Sequence, residues 1–245
     1  MSRTISLLFA IAAYAIFFAT FLYLICFVGG ASFAPVTVDK GPTSPPTVAA
    51  AIDIALIALF GLQHSVMARR SFKEAWTRIV PLPVERSVYV LAASLTLMIL
   101  FWFWQPIDSV IWDATSTPLS GILTVLFWMG WATILLSTFL INHFELFGLQ
   151  QAWLNLRKRQ AAPHEFRQPF LYKFVRHPLY LGFFLAFWSA PRMTAGHLLL
   201  AVGLSVYMLI AIRYEERDLV ALFGKDYEEY QGRVGMLTPR LRKSH

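Results

Sequence analysis

The residues best suited to chemistry stand in two short stretches, Arg176-His177-Pro178-Leu179-Tyr180-Leu181-Gly182 and Glu215-Glu216. Between them, Phe183 to Ile212 is apolar except for a break at Pro191-Arg192-Met193-Thr194-Ala195-Gly196-His197. A turn at that break makes a helical hairpin and brings Arg176, His177 and Tyr180 to the two glutamates at one membrane face. Such a cluster suits a charged cofactor with one apolar side. Each member alone has a plainer role. Arg176 and His177 read as interfacial anchors, Tyr180 as a belt aromatic and Gly182 as a helix-packing contact. Pro178 fits a first helical turn, where its missing N–H costs nothing. Their clustering favours a site. Adjacent glutamates point about 100° apart on a helix, so one faces the ligand while the other pairs with a cation, Arg213 or Arg217 among the choices.

Ionisable groups at membrane depth are costly, which marks a second set: Gln63, His64, Asn142, His143 and Glu145. They sit where the second and fourth apolar runs reach the face carrying the hairpin motif. His143 and His64 are the candidates for orienting or deprotonating a substrate, since a histidine accepts a proton near neutral pH. A structural histidine is an equal alternative for His143. Gln63 and Asn142 stand beside them as candidate substrate contacts. Asp53 is expected in the first turn of its helix on the opposite side, as a cap or packing feature. No dinucleotide glycine fingerprint, P-loop or zinc-like Cys/His spacing occurs, and no metal site is expected.

The elements that must position these residues are membrane spans. The chain has 245 residues, 57% hydrophobic and 14% charged, with a mean hydropathy of +0.56, a balance foreign to a soluble domain. Ile5 to Val28, Val48 to Ala68, Val88 to Trp104 and Leu119 to Ile141 each match the ~30 Å hydrocarbon core. Asn142 to Lys173 carries Phe144, Phe147, Leu149, Trp153, Leu154 and Leu156 and predicts an amphipathic helix at the interface. The hairpin adds two passes, the first short enough to be tilted or embedded without a full crossing. Asp218 to His245 is a polar tail. The fold class is therefore an all-α integral membrane bundle of five to six transmembrane helices, with a C-terminal hairpin and tail. One domain over 1–245 is expected: four spans in 1–141, an interfacial segment in 142–175, and a hairpin and tail in 176–245 forming the cofactor site.

Lys and Arg concentrate in the 69–86 loop, the 157–176 loop and the tail, and avoid the 29–47 and 105–118 loops. That bias puts both termini in the cytoplasm and the chain in a bacterial inner membrane. The net charge of +7 then reflects orientation and contact with membrane lipids, and no nucleic-acid partner is implied. The lone Cys26 excludes a disulfide framework.

The pattern Arg176-His177-Pro178-x-Tyr180-x-Gly182, Glu215-Glu216-x-x-Leu219, Phe223-Gly224-x-x-Tyr227-x-x-Tyr230 and Val234 resembles the cofactor half of isoprenylcysteine carboxyl methyltransferases. Bacterial phospholipid N-methyltransferases are similar. Further upstream, Gln63-His64-Ser65-Val66-Met67-Ala68-Arg69, Glu85-Arg86-Ser87 and Ser137 through Leu149 resemble the membrane methanethiol S-methyltransferases, as does Pro191 through His197. The resemblance implies S-adenosylmethionine as cofactor, held by Arg176, His177, Pro178, Tyr180, Gly182 and one of Glu215 or Glu216. It also implies methanethiol as substrate and dimethyl sulfide as product. The proton acceptor stays open between His143, His64, a carboxylate and hydroxide. Alternatives are methylation of a larger lipid-like or thiol substrate, or a non-catalytic nurim-like scaffold or reductase accessory protein. The oligomeric state is left open by the sequence.

Overall fold

The computed structural model describes residues 1–163 and 165–240; His164 and 241–245, the end of the expected tail, lie outside the described residues. Apolar runs opened by small or cyclic residues set the helices. Ser2 Oγ accepts the Ile5 N–H at the start of α1 (Arg3–Val28), and prolines open α2 (Pro46–Ala68) and α8 (Pro178–Trp188). The other long helices are α4 (Leu82–Phe103), α5 (Leu119–Ile141) and α9 (Ala195–Phe223). α1, α2, α4, α5 and α9 are each long and apolar enough to cross a membrane. The protein is an all-α integral membrane protein with several passes. Short helices α3 (Arg70–Trp76), α6 (His143–Leu146), α7 (Leu149–Leu156) and α10 (Lys225–Arg233) lie between or beyond the spans.

The spans pack in the order α1–α4–α2–α9–α8–α5. Between the two ends of that series, Phe21 meets Trp131 edge-to-face at 5.5 Å and Tyr14 reaches His143. A curved wall of helices therefore surrounds an interior space. α8 has 11 residues and rises about 16 Å, half of what a crossing needs. Gly182 lies against Ile134, two turns before the end of α5, so the Arg176–Tyr180 cluster is sunk about one turn below the face bearing the tail.

That depth requires α8 and α5 to approach closely. A Cβ on Gly182 would stand 2.7 Å from the Gly130 carbonyl and 2.9 Å from the Ile134 amide nitrogen. Backbone cannot yield as a side-chain tip does. Gly182→Ala is expected to destabilise the bundle by roughly 1–3 kcal/mol, the usual cost of overpacking, read as a lower thermal midpoint in detergent. An unchanged midpoint would contradict this close contact.

On the face opposite the tail, two expected plain loops form a small antiparallel sheet, β1 (Val110–Asp113) with β2 (Arg192–Thr194). Buried Trp104 donates to the Val38 carbonyl at 3.0 Å, and Trp112 to that of Ala190 at 3.0 Å. Thr194 Oγ1 accepts from the His197 amide at 3.1 Å and donates to Asp39 at 2.5 Å. These bonds plug that end of the bundle. Asp53 departs from its expected place. Because α2 begins at Pro46, Asp53 sits two turns inside it, where it accepts the Gln105 backbone N–H at 2.9 Å. It caps the chain leaving α4 rather than its own helix.

Two further boundaries differ from the sequence reading. α4 starts at Leu82, six residues before Val88, because Pro81 permits an earlier start and Arg86 finds the Leu146 carbonyl at 2.7 Å. α9 continues to Phe223, so the expected tail begins as helix. Gly224 then adopts φ +56°, a conformation open to glycine, and turns the chain into α10.

Candidate active site

One cavity of about 600 Å³ opens within the helical wall, inside the usual range for a small-molecule site. Its inner end is apolar, lined by Phe21, Leu24, Leu97, Ile134, Phe187 and Met208. Its mouth, towards the tail face, is polar: Arg69, Arg86, Tyr172, Arg176, His177, Glu215 and Asp218.

The tail builds one side of the mouth. Tyr227, Tyr230 and Val234 bury themselves against Phe166, Leu219, Val220 and Phe223. The chain then returns alongside the entry to α8, where the Gly235 carbonyl accepts from Arg176 N–H at 2.9 Å and that of Met236 from His177 N–H at 3.1 Å. This docking fixes two side chains on Glu216. Its Oε1 accepts from Arg176 Nε at 2.7 Å and His177 Nε2 at 3.1 Å, and its Oε2 from Gln231 at 3.1 Å. Arg176 also donates to the carbonyls of Gln231 and Val234. The partner of the second glutamate is thus Arg176, not Arg213 or Arg217, because the returning tail fixes Arg176 against that face of α9. Glu215 points the other way, lines the cavity beside Tyr180 and makes no ion pair among the described residues.

The remaining sequence candidates separate. Pro178 is buried and opens α8, and Gly182 faces α5; neither lines the cavity. Gln63 donates to Met67 Sδ and accepts from Thr96 at 3.2 Å. Asn142 caps α6 and donates to Glu145 at 2.8 Å and Gln150 at 2.7 Å. Both lie outside the cavity wall.

His64 and His143 both line the cavity but differ in what is left open. The Thr138 hydroxyl donates to the Leu135 carbonyl at 2.7 Å and therefore accepts from His143 Nδ1–H at 2.9 Å. His143 Nε2 then accepts from the Tyr14 hydroxyl at 2.7 Å. Both ring nitrogens are occupied, and burial holds the ring below its ordinary pKa, in the neutral form. His64 uses only Nε2, 2.8 Å from the Tyr89 hydroxyl. Its Nδ1 is buried with no hydrogen-bond partner among the described residues.

Three polar residues of the wall, Tyr89, Arg69 and Arg86, escaped the sequence reading, as did Tyr14, which bonds the wall's His143. Tyr14 and Tyr89 lie within apolar spans, where a phenol reads as one more aromatic; the usable signal is that a buried hydroxyl needs a partner. Arg69 and Arg86 read as basic-loop anchors, although both fall inside the quoted motifs. Arg69 stacks over the Tyr214 ring at 3.6 Å, and Arg86 lies 4.8 Å from the Tyr89 ring. Among the described residues no group of three metal-ligating side chains occurs.

Comparison with known proteins gives a consistent result. The chain is 51% identical over 237 residues to methanethiol S-methyltransferase 1 of Bradyrhizobium diazoefficiens, covering 97% of this chain and 83% of that protein. It is 52% identical over 210 residues to the methanethiol S-methyltransferase of Pseudomonas deceptionensis, covering 86% and 80% respectively. A nurim of Xenopus laevis is 31% identical over 179 residues, 70% of this chain and 62% of that one. No family model and no solved structure matches.

Proposed function

The chain belongs to the methanethiol S-methyltransferase family, and from that we propose that it methylates methanethiol to dimethyl sulfide with S-adenosylmethionine as donor. The observation that carries this reading is the single cavity joining a charged mouth to an apolar end. The donor set fits the cofactor. Glu215 and Asp218 offer carboxylates, Arg69 and Arg86 offer guanidinium groups, and Tyr180, Tyr207 and Tyr214 offer ring faces suited to a cation. S-adenosylmethionine, when bound, supplies a methyl group on a positively charged sulfur.

The protein's own groups have three tasks. Glu215, hydrogen-bonded to Tyr180 but in no ion pair among the described residues, faces the cavity and stabilises positive charge at the mouth. Glu216 holds Arg176 and His177 in place and so shapes the wall rather than touching ligand. The apolar inner end excludes water from the thiol sulfur, which removes the hydration that would favour separated ions over reaction. Methanethiol has no polar handle beyond its sulfur, and such a pocket needs few polar contacts.

His64 is the proton acceptor in this reading. With the ring proton on Nε2, that nitrogen donates to the Tyr89 hydroxyl, whose own proton turns to the His64 carbonyl at 3.4 Å. Nδ1, buried and without a hydrogen-bond partner among the described residues, then keeps a lone pair and takes the S–H proton of a thiol brought against His64. His143, with both nitrogens occupied, ties α1 to α5 and α6. The Lys and Arg bias supports a mouth on the cytoplasmic side, where the cofactor is supplied, and the proposed membrane is a bacterial inner membrane.

The acceptor is tested with purified protein in detergent, S-adenosylmethionine and a series of thiols from methanethiol to hexanethiol. Release of S-adenosylhomocysteine is expected to be fastest per unit concentration with methanethiol. Equal or faster release with the longer thiols would assign the enzyme to a larger, lipid-like substrate.

A further inference from the structure

Three guanidinium groups of the described residues line the mouth, and they differ in what they have left to give. Arg176 is the most committed: its Nε lies on Glu216 and one terminal nitrogen on two backbone carbonyls, which leaves one terminal nitrogen. Arg86 commits only Nε, to the Leu146 carbonyl at 2.7 Å. Its terminal nitrogens have no acceptor among the described residues. Arg69 makes no side-chain hydrogen bond there at all; its plane lies 3.6 Å over the Tyr214 ring. Stacking occupies the face of a guanidinium and leaves its donors at the edge. Neither Arg69 nor Arg86 forms an ion pair with a carboxylate among the described residues, although Glu215 and Asp218 line the same mouth. Two cations and two anions that face one space without an ion pair among the described residues, Glu215 holding only the Tyr180 hydroxyl, are the complement of a zwitterion.

We propose that Arg69 and Arg86 bind the carboxylate of the cofactor's amino-acid end, with Glu215 and Asp218 on its ammonium group. This inference rests on the cavity being the S-adenosylmethionine site. It moves part of cofactor recognition from the C-terminal hairpin and tail to the end of α2 and the start of α4, outside the stretch that carries the resemblance to isoprenylcysteine carboxyl methyltransferases. A forked guanidinium donating two parallel N–H bonds to a carboxylate suits the task better than a lysine would. Arg176 then acts on the cofactor chiefly through the wall it holds.

The test compares two ligands by calorimetry on the full chain in detergent. S-adenosylhomocysteine carries the amino-acid end; 5′-methylthioadenosine lacks it and keeps the adenosine and thioether. Arg69→Gln and Arg86→Gln are each expected to weaken S-adenosylhomocysteine about 10- to 100-fold, the loss of a hydrogen bond to a charged group. Binding of 5′-methylthioadenosine is expected to change by less than about twofold, which also reports that the variant is folded. Arg69→Lys is expected to fall between wild type and Arg69→Gln. Equal losses for both ligands would overturn the assignment. So would unchanged S-adenosylhomocysteine binding with a raised KM for methanethiol, which would place the arginines on the thiolate instead. Wild type binding neither ligand would sink the cofactor site itself, a failure distinguishable from the other two.

Discussion

Replacing His64 with alanine is expected to lower turnover of methanethiol by about 10²- to 10⁴-fold, the range for removing a positioned general base. Affinity for S-adenosylmethionine, read by calorimetry, should move by less than about threefold. The reason lies in the two histidines' surroundings. His64 lines the cavity and keeps a buried Nδ1 with no partner among the described residues, whereas His143 has Tyr14 and Thr138 on its two nitrogens. His143→Ala should therefore act mainly on stability, because it unties α1 from α5, with the smaller loss of turnover. His64 also packs on Phe60 at 5.3 Å and Tyr89 at 5.0 Å, so His64→Gln is the companion variant. It retains a polar side chain of similar reach but takes up no proton, and it should be as slow as alanine while better folded. Normal turnover in His64→Gln would move the base elsewhere, and a larger loss in His143→Ala would name His143.

Glu216→Ala should produce the largest loss of stability. The carboxylate binds Arg176 and His177 together, and the side chains of Arg176, Glu216 and His177 are only 10%, 17% and 3% exposed. Removing it leaves a buried guanidinium without its counter-charge, a change that costs roughly 3–5 kcal/mol when burial is complete. Residual exposure argues for the lower end of that range. Gln231 also loses its acceptor, and the tail's hold on the entry to α8 loosens with it. Cofactor binding should fall in step with the thermal midpoint, and Glu216→Gln should recover part of both by keeping an acceptor oxygen. Glu215→Gln is the contrast: binding should weaken while the midpoint stays near wild type, since Glu215 joins no ion pair among the described residues. Similar behaviour of the two glutamate variants would undo the division of labour between them.

Much of this architecture is legible in the sequence because the membrane enforces it. Long apolar runs become helices wherever backbone must satisfy itself, and the five long spans follow the apolar runs closely. The site cluster is legible for a related reason: polar residues gathered at the ends of apolar runs have few other uses. What pairs with what is less accessible. Arg213 and Arg217 are near Glu216 in sequence, yet Arg176 takes it, because the choice depends on where the tail returns after Gly224. Gly182 reads equally as a ligand contact or a packing contact until Gly130 is seen against it. Short strands such as β1 and β2 carry no distinctive pattern among loop residues. Arg69 and Arg86 are hidden by a correct rule, since basic residues beside a span are expected whether or not they bind anything.

In this cavity a methyl group is expected to pass from S-adenosylmethionine to methanethiol sulfur. The most direct measurement is headspace mass spectrometry on purified protein given methanethiol and S-adenosylmethionine deuterated in its transferable methyl group. The expected result is dimethyl sulfide carrying one deuterated methyl, dependent on both reagents and strongly reduced in His64→Gln. Absence of labelled dimethyl sulfide from folded protein that still binds S-adenosylmethionine would contradict the claim.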